Sequence, residues 1–391
     1  MERESEDAGL VSGLSLNPEP PGDEDTVPVD DVEAAFSVPY QEAGSLCVRL
    51  DHCSVLDLTA VGGGSVVGLT HTGHLTCYDP ELLVSTWDLS PGQDLVRAVS
   101  SHGTDPNLVL TCGQTVKVWD LRGPLKAVLE LRDSSDLRPD LSCLAASRAG
   151  LVVAGTDQQR LDSFLLFWDL KGGGQPLGGY WNVHSDDITS LQFHTDNQHR
   201  LLTGSTDGLV NILDLSKTEE EEALLNSFNI LNSVAGARWR GEDVVVRTHT
   251  ETLQTWSPST SSHHTVTRAD LAGGIRRGVE DYVYIVGVEV EEEEVVVLAG
   301  SRYIPSPCLR SVSLTEAGDL QPRAHFLKAG PSTRCSLRLK QSNIFVTGGE
   351  DGVIRVWRKV EAESAPASSQ DSTRKITTNE TSRVRKKPYT K

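Results

Sequence analysis

Two stretches decide how this chain folds: RLLTGSTDGLVNILD at 200–214 and NIFVTGGEDGVIRVW at 343–357. Each is an apolar run, a turn of small and acidic residues, and a second apolar run ending in a large side chain. Asp-Gly makes the turn because Asp bonds to nearby backbone and Gly adopts positive φ at no steric cost. An apolar run, a turn and another apolar run at this length read as a β-hairpin. The phrase recurs in altered form at SVVGLTHTGHLTCYD (65–79), NLVLTCGQTVKVWD (107–120), LVVAGTDQQRLDSFLLFWD (151–169), DVVVRTHTETLQTWS (243–257) and EVVVLAGSRYIPSPCLRSVS (294–313). The aligned terminal residues are Tyr78, Trp119, Trp168, Leu213, Trp256, Val312 and Trp357, spaced 41, 49, 45, 43, 56 and 45 residues apart.

A period in the forties with short strands is the signature of propeller blades. Most hairpins are preceded by another apolar run, such as VLDLTAV (55–61), ITSLQFH (188–194) or CSLRLKQ (335–341). Most are followed by a further strand, such as STWDLS (85–90) or LKAVLEL (125–131), giving four strands per unit. No ten-residue helical stripe intervenes, so the reading is all-β.

HSDDITSLQFH…RLLTGSTDGLVNILD and FVTGGEDGVIRVW resemble WD40 repeats. The resemblance is strong in the fourth and seventh units and weak in the fifth and sixth. With seven units it implies a seven-bladed β-propeller. The seventh unit lacks an outer strand after Trp357, and a spare apolar run, SLCVRL (45–50), precedes the first unit. Pairing the two closes the ring and covers an exposed edge. The expected organisation is a disordered acidic segment at 1–44, the propeller at 45–359 and a disordered basic tail at 360–391.

Composition limits what the propeller does. The 391 residues carry a formal charge of −19, which opposes nucleic-acid binding through the overall field. Charge is uneven: residues 1–45 hold one Arg against twelve acidic residues, and 359–391 hold eight basic against four acidic. The seven cysteines form no C-x-x-C pair, and most sit in apolar runs as small buried hydrophobes do. That favours a reducing compartment. MERESEDAGL carries no apolar stretch of a secretory signal, and no run approaches the length of a membrane span. An intracellular protein, nuclear or cytoplasmic or both, is expected.

In WD40 blades a His, a Ser/Thr, a turn Asp and a Trp form a hydrogen-bond chain. The resemblance assigns this structural role to His184, Ser205 and Asp207 in the fourth unit, where Leu213 replaces the Trp. In the seventh it assigns Thr347, Asp351 and Trp357, without a His. A His–Ser–Asp set also invites a hydrolase reading, but no G-x-S-x-G elbow accompanies it. Gly62–Gly64 and Gly172–Gly174 lack a following G-K-[ST] and read as turns. His263-His264 lack a second ligand pair at metal spacing. Glu219–Glu222 and Glu291–Glu294 read as solvated turns. No catalytic residue, cofactor or metal is expected.

Two segments remain. Trp119-Asp120-Leu121-Arg122 ends the second hairpin. W-D-x-R at that place resembles the motif by which WD40 substrate receptors dock on the DDB1 adaptor of cullin-4 ubiquitin ligases. The Arg matters because its planar fork makes bidentate contacts that a Lys does not. Trp168-Asp169-Leu170-Lys171 is a weaker version. The basic cluster Arg383, Arg385, Lys386 and Lys387 fits a nuclear localisation signal, a nucleic-acid contact or a solubility tail. The expected function is a non-catalytic scaffold, one copy within a larger complex, binding protein partners with basic surfaces or peptides. The alternatives are a cullin-4 substrate receptor and a nuclear assembly factor of ribosome or chromatin complexes.

Overall fold

The computed structural model describes residues 29–48, 53–89, 96–101, 103, 105–123, 126–133, 139–291, 294–304, 306–330, 332–340 and 342–360. Residues 1–28 and 361–391 lie outside them. Among the described residues, no helix is long and apolar enough to cross a membrane.

The chain enters through a short helix, α1 (Val29–Ala35), and a long strand, β1 (Val38–Cys47). Five four-stranded sheets follow. The first is β2 (Val55–Ala60), β3 (Val66–Thr70), β4 (Leu75–Asp79) and β5 (Val84–Leu89). The second is β6 (Ala98–Ser101), β7 (Leu108–Cys112), β8 (Val116–Asp120) and β9 (Ala127–Leu131). The third is β10 (Leu141–Ala146), β11 (Leu151–Thr156), β12 (Ser163–Asp169) and β13 (Pro176–His184). The fourth is β14 (Ile188–Phe193), β15 (Arg200–Ser205), β16 (Leu209–Asp214) and, after the one-turn helix α2 (Glu220–Ala223), β17 (Leu224–Asn229). The fifth is β18 (Val234–Arg240), β19 (Asp243–Thr248), β20 (Leu253–Trp256) and β21 (His263–Val266).

The remaining strands share one eight-stranded sheet. After α3 (Arg268–Gly274) come β22 (Val283–Glu291), β23 (Glu294–Ser301), β24 (Cys308–Leu314) and β25 (Leu320–Phe326). Then come β26 (Thr333–Leu339), β27 (Ile344–Gly349) and β28 (Val353–Lys359). Their order is β22-β23-β24-β25-β1-β28-β27-β26. The fold is an all-β propeller, and each aligned anchor residue of the sequence falls on the third strand of its unit, counting the innermost as the first.

Strands β2, β6, β10, β14, β18, β22 and β26 line one central cavity. Each packs against the next, and β26 packs back against β2. The second strands behind them are buried over nearly their whole length because sheets cover both faces. That is why they read as continuous apolar runs rather than as alternation. Contact between neighbouring sheets leaves no room for side chains at certain points. A Cβ at Gly204 would come within 2.9 Å of Val234, and one at Gly348 within 2.5 Å of Val55. The glycines of TGS and TGG are therefore sockets for the first residue of the next inner strand, and Val55 in the Gly348 socket joins the last sheet to the first.

The expected closure is present but starts earlier than 45. β1 pairs antiparallel with β28 from Tyr40↔Lys359 to Cys47↔Val353. Its first residues also pair in parallel with β25, at Val38↔Ala324, Pro39↔His325 and Tyr40↔Phe326. The boundary expected between 44 and 45 thus lies inside a strand. Pro39, Glu42, Ala43 and Gly44 are of types depleted in strands, so 38–44 carries no strand signature of its own. Burial holds it instead: Tyr40 is 3% exposed and stacks on Phe326 at 5.1 Å. Upstream, Phe36 is fully buried among Leu271, Ile275, Val283 and Val295.

The 56-residue spacing of the sixth repeat has a cause in α3. Thr267 Oγ1 accepts the Asp270 N–H at 3.1 Å, and Asp270 accepts the Thr267 N–H at 2.9 Å. This reciprocal cap starts the helix. Leu271 and Ala272 then pack it against the sheet and α1.

Candidate interaction sites

A buried polar chain joins the third sheet to the fourth. His184, at the end of β13, meets Asp207 Oδ2 through Nδ1 at 3.0 Å and Thr203 Oγ1 through Nε2 at 2.8 Å. The His184 side chain is fully buried and that of Asp207 nearly so. Burial by itself would raise the Asp207 pKa. The His184 ring and the N–H groups of Ser185 and Leu209 outweigh it and hold the carboxyl below the usual range. Ser205 does not touch His184: its hydroxyl donates to Asp186 O at 2.9 Å and accepts the Asp207 N–H at 3.1 Å. Sequence reading took Ser205 for the histidine's partner and missed Thr203.

Register explains the substitution. Thr203 lies opposite Asn211, two residues in from the Leu201↔Leu213 pair. In β27, Thr347 holds the same position relative to Phe345↔Trp357. There the Trp357 indole N–H donates to Thr347 Oγ1 at 2.8 Å. Trp119 does the same to Thr111 at 2.9 Å. A threonine at this position of three second strands, Thr111, Thr203 and Thr347, thus meets a Trp indole N–H in two sheets and the His184 ring in the fourth. Asp351 pairs with Arg355 rather than joining a chain with Trp357.

Trp119 is buried, and Asp120 ends β8 at the surface. Arg122 is more than half exposed, with its fork on Asp120: Nε to Oδ1 at 2.8 Å and Nη2 to Oδ2 at 2.9 Å. A third contact runs from Nη2 to Asp105 Oδ2 at 3.2 Å. The Arg122 contacts hold the Asp120 carboxyl below its ordinary pKa. The W-D-x-R residues therefore present a fixed, outward guanidinium. The basic cluster 383–387 lies outside the described residues.

The other sequence candidates have local roles. Glu291 and Glu294, flanking the β22–β23 turn, meet Arg323 and Arg338. Glu220 accepts the N–H groups of Trp181 and Asn182 at 2.9 and 2.6 Å. His263 stacks on Trp256 at 4.3 Å. Gly62–Gly64 form a single 3-10 turn between β2 and β3. All seven cysteines are free thiols. Among the described residues no cluster of His, Cys, Asp and Glu is placed to hold a metal.

Sequence reading singled out nothing in the centre of the ring. The cavity there, about 540 Å³, is walled partly by Asp57, Arg97, Arg238, Arg247, Arg334 and Ser336. The signal was present as charged residues inside inner-strand runs, VLDLTAV and VAGARWR, where a strand of an ordinary sandwich would bury them.

A family model, "WD domain, G-beta repeat", matches residues 175–214 and 333–358, the spans that hold the fourth and seventh hairpins. An uncharacterized WD repeat-containing protein of Schizosaccharomyces pombe is 26% identical over 332 residues, covering 79% of this chain and 96% of that one. The WD repeat-containing protein 89 homolog of Dictyostelium discoideum is 23% identical, covering 54% of this chain and 56% of that one. Among solved structures, a chain of the mitotic checkpoint complex superposes with a TM-score of 0.62 at 14% identity, covering 82% of this chain and 96% of that one. At that identity the likeness is one of fold.

Proposed function

We propose that this chain, a member of the WD40-repeat family, is a non-catalytic platform on which other proteins assemble within a larger complex. WD40 propellers generally bind protein partners. The observation that carries the reading is the ring of inner strands with β1 across its seam. Such a frame fixes the loops between strands, so a partner binds with little ordering cost. We count seven blades: the three-residue parallel contact between β25 and β1 divides the eight-stranded sheet into two units of four.

The formal charge of −19 supports partners with basic surfaces or basic peptides. Binding of that kind weakens as salt rises. The platform acts as one copy, in the nucleus or cytoplasm. Affinity purification of the full chain at two salt concentrations, with mass spectrometry, tests this reading. A reproducible protein partner released by salt is the expected result; the absence of any stoichiometric partner overturns it.

A second reading rests on Trp119, Asp120 and Arg122. The outward guanidinium, pre-set by Asp120, supports docking on a cullin-4 adaptor. Purifying Arg122→Ala beside the wild type decides it: the adaptor accompanies the wild type alone. Equal recovery, or none in either sample, rejects the receptor role. A nuclear assembly role rests on residues 383–387, and neutralising them then moves the protein out of the nucleus.

A further inference from the structure

The wall of the central cavity has the opposite sign to the molecule. The chain carries a formal charge of −19, yet Arg97, Arg238, Arg247 and Arg334 line the cavity against one carboxylate, Asp57. Two of the four arginines are already engaged. Arg97 forms ion pairs with Asp140 and Asp157. Arg247 donates to the Ile285 carbonyl at 3.2 Å. Arg238 and Arg334 are exposed to the cavity and make no hydrogen bond or ion pair among the described residues.

Each of these two has five N–H donors, none of them taken up by another described residue. They stand on β18 and β26, the inner strands on either side of β22. Between them, β22 presents Gly287, where a Cβ would come within 2.2 Å of Ser336 Oγ. Ser336 lines the same cavity, and its buried hydroxyl has no partner. Two unpaired forks thus face one space.

We propose that the central cavity binds a small multivalent phosphate, gripped by Arg238 and Arg334. The volume, about 540 Å³, falls in the range of small-molecule sites and excludes a folded domain. Arginine forks match phosphate oxygens two at a time, and two forks favour a ligand with more than one phosphate. Asp57 opposes the ligand. It is open to cavity water but hemmed in by protein, and its charge is felt with those of Arg238 and Arg247. The more distant Glu289 on β22 also feels Arg238. This site is independent of any protein partner on the outer surface.

Isothermal titration of the full chain with tripolyphosphate at physiological salt tests the proposal. Saturable one-site binding is expected, weakened about tenfold or more in Arg238→Ala/Arg334→Ala. Asp57→Asn is expected to tighten it. The basic cluster at 383–387 is a competing source of phosphate affinity. The variant Arg383→Ala/Arg385→Ala/Lys386→Ala/Lys387→Ala therefore must bind as the wild type does. Should the double alanine variant lose its fold, Arg238→Lys/Arg334→Lys replaces it, keeping charge but not the fork, with weaker binding expected. No saturable binding, undiminished binding in the arginine variant that folds, or loss of binding on neutralising 383–387 each overturns the site.

Discussion

The fourth sheet and the eight-stranded sheet are held by opposite means. β14 to β17 are formed by one uninterrupted stretch, 188–229, and every pairing joins strands adjacent in sequence. The eight-stranded sheet depends on β1, whose Tyr40 lies opposite Lys359 and whose hydroxyl reaches Asn343 across 303 residues of sequence. A buried polar chain, His184 of β13 with Asp207 and Thr203, ties the fourth sheet to the third; around Tyr40 the seam is packed with aromatic rings. Local hairpins close short loops at small entropic cost, whereas β1 closes the longest loop in the chain. Ring closure therefore concentrates in one strand, and the comparison is open to direct attack.

Deleting residues 29–47 is the largest insult. It bares the β25 and β28 edges together and uncovers Trp357 and Phe326, so the cooperative melting transition is expected to vanish, with aggregation on gel filtration. Retention of a sharp transition would show that the inner ring closes without β1. Tyr40→Ala keeps the strand but removes its ring from Phe326 and Phe345, and about 3–5 kcal/mol is expected to disappear in urea denaturation. Between the third and fourth sheets, His184→Ala strands the buried Asp207 carboxylate and is expected to cost about 3 kcal/mol. A double-mutant cycle with Thr203→Val would show coupling if the chain acts as one unit. A cycle that adds without coupling would reduce it to separate contacts.

Two carboxylates sharpen the contrast through pH, with opposite signs. Asp207 has a lowered pKa in the folded chain, so its contribution is present above the unfolded value, about 3.9, and is lost as pH falls below it. The stability difference between wild type and Asp207→Asn is expected to shrink in acid. Asp57 is raised to about 6, chiefly by burial, so the folded chain holds its proton more tightly than the unfolded chain. Stability then falls as pH rises from about 4 to about 6. Asp57→Asn is expected to melt higher than wild type at pH 7 and level with it at about pH 4. A variant that melts lower at neutral pH would mean that its ion interactions with Arg238 and Arg247 outweigh its burial. The smallest effect is expected at Arg122→Ala, whose contacts are solvent-screened and whose melting point should match wild type. A clear drop would assign the arginine to packing.

Legibility in the sequence followed the same division. The hairpins announced themselves because turn chemistry and apolar runs are local, and the anchors Trp119, Trp168 and Trp357 could be aligned by eye. The strand at 38–44 could not, since what makes VPYQEAG extended is a pair of neighbours near 324 and 359. Thr203 was passed over for Ser205 because the two lie on one strand two residues apart, and only cross-strand register separates them. Within Trp119-Asp120-Leu121-Arg122, only Arg122 is exposed, because it lies past the strand end, whereas Trp119 is buried in β8. The positive cavity wall was not legible, because Arg238 and Arg334 come to line one cavity only when the ring is closed.

The seam also sets a clock. A ribosome adds about 5–20 residues per second, so some 15–60 s pass between the appearance of Tyr40 and that of Lys359. Throughout that interval five sheets can complete themselves while β1 waits with two unsatisfied edges. Premature termination before Val353 leaves that wait permanent: β1 never meets its antiparallel partner, and the shortened product carries a strand free to pair with another chain.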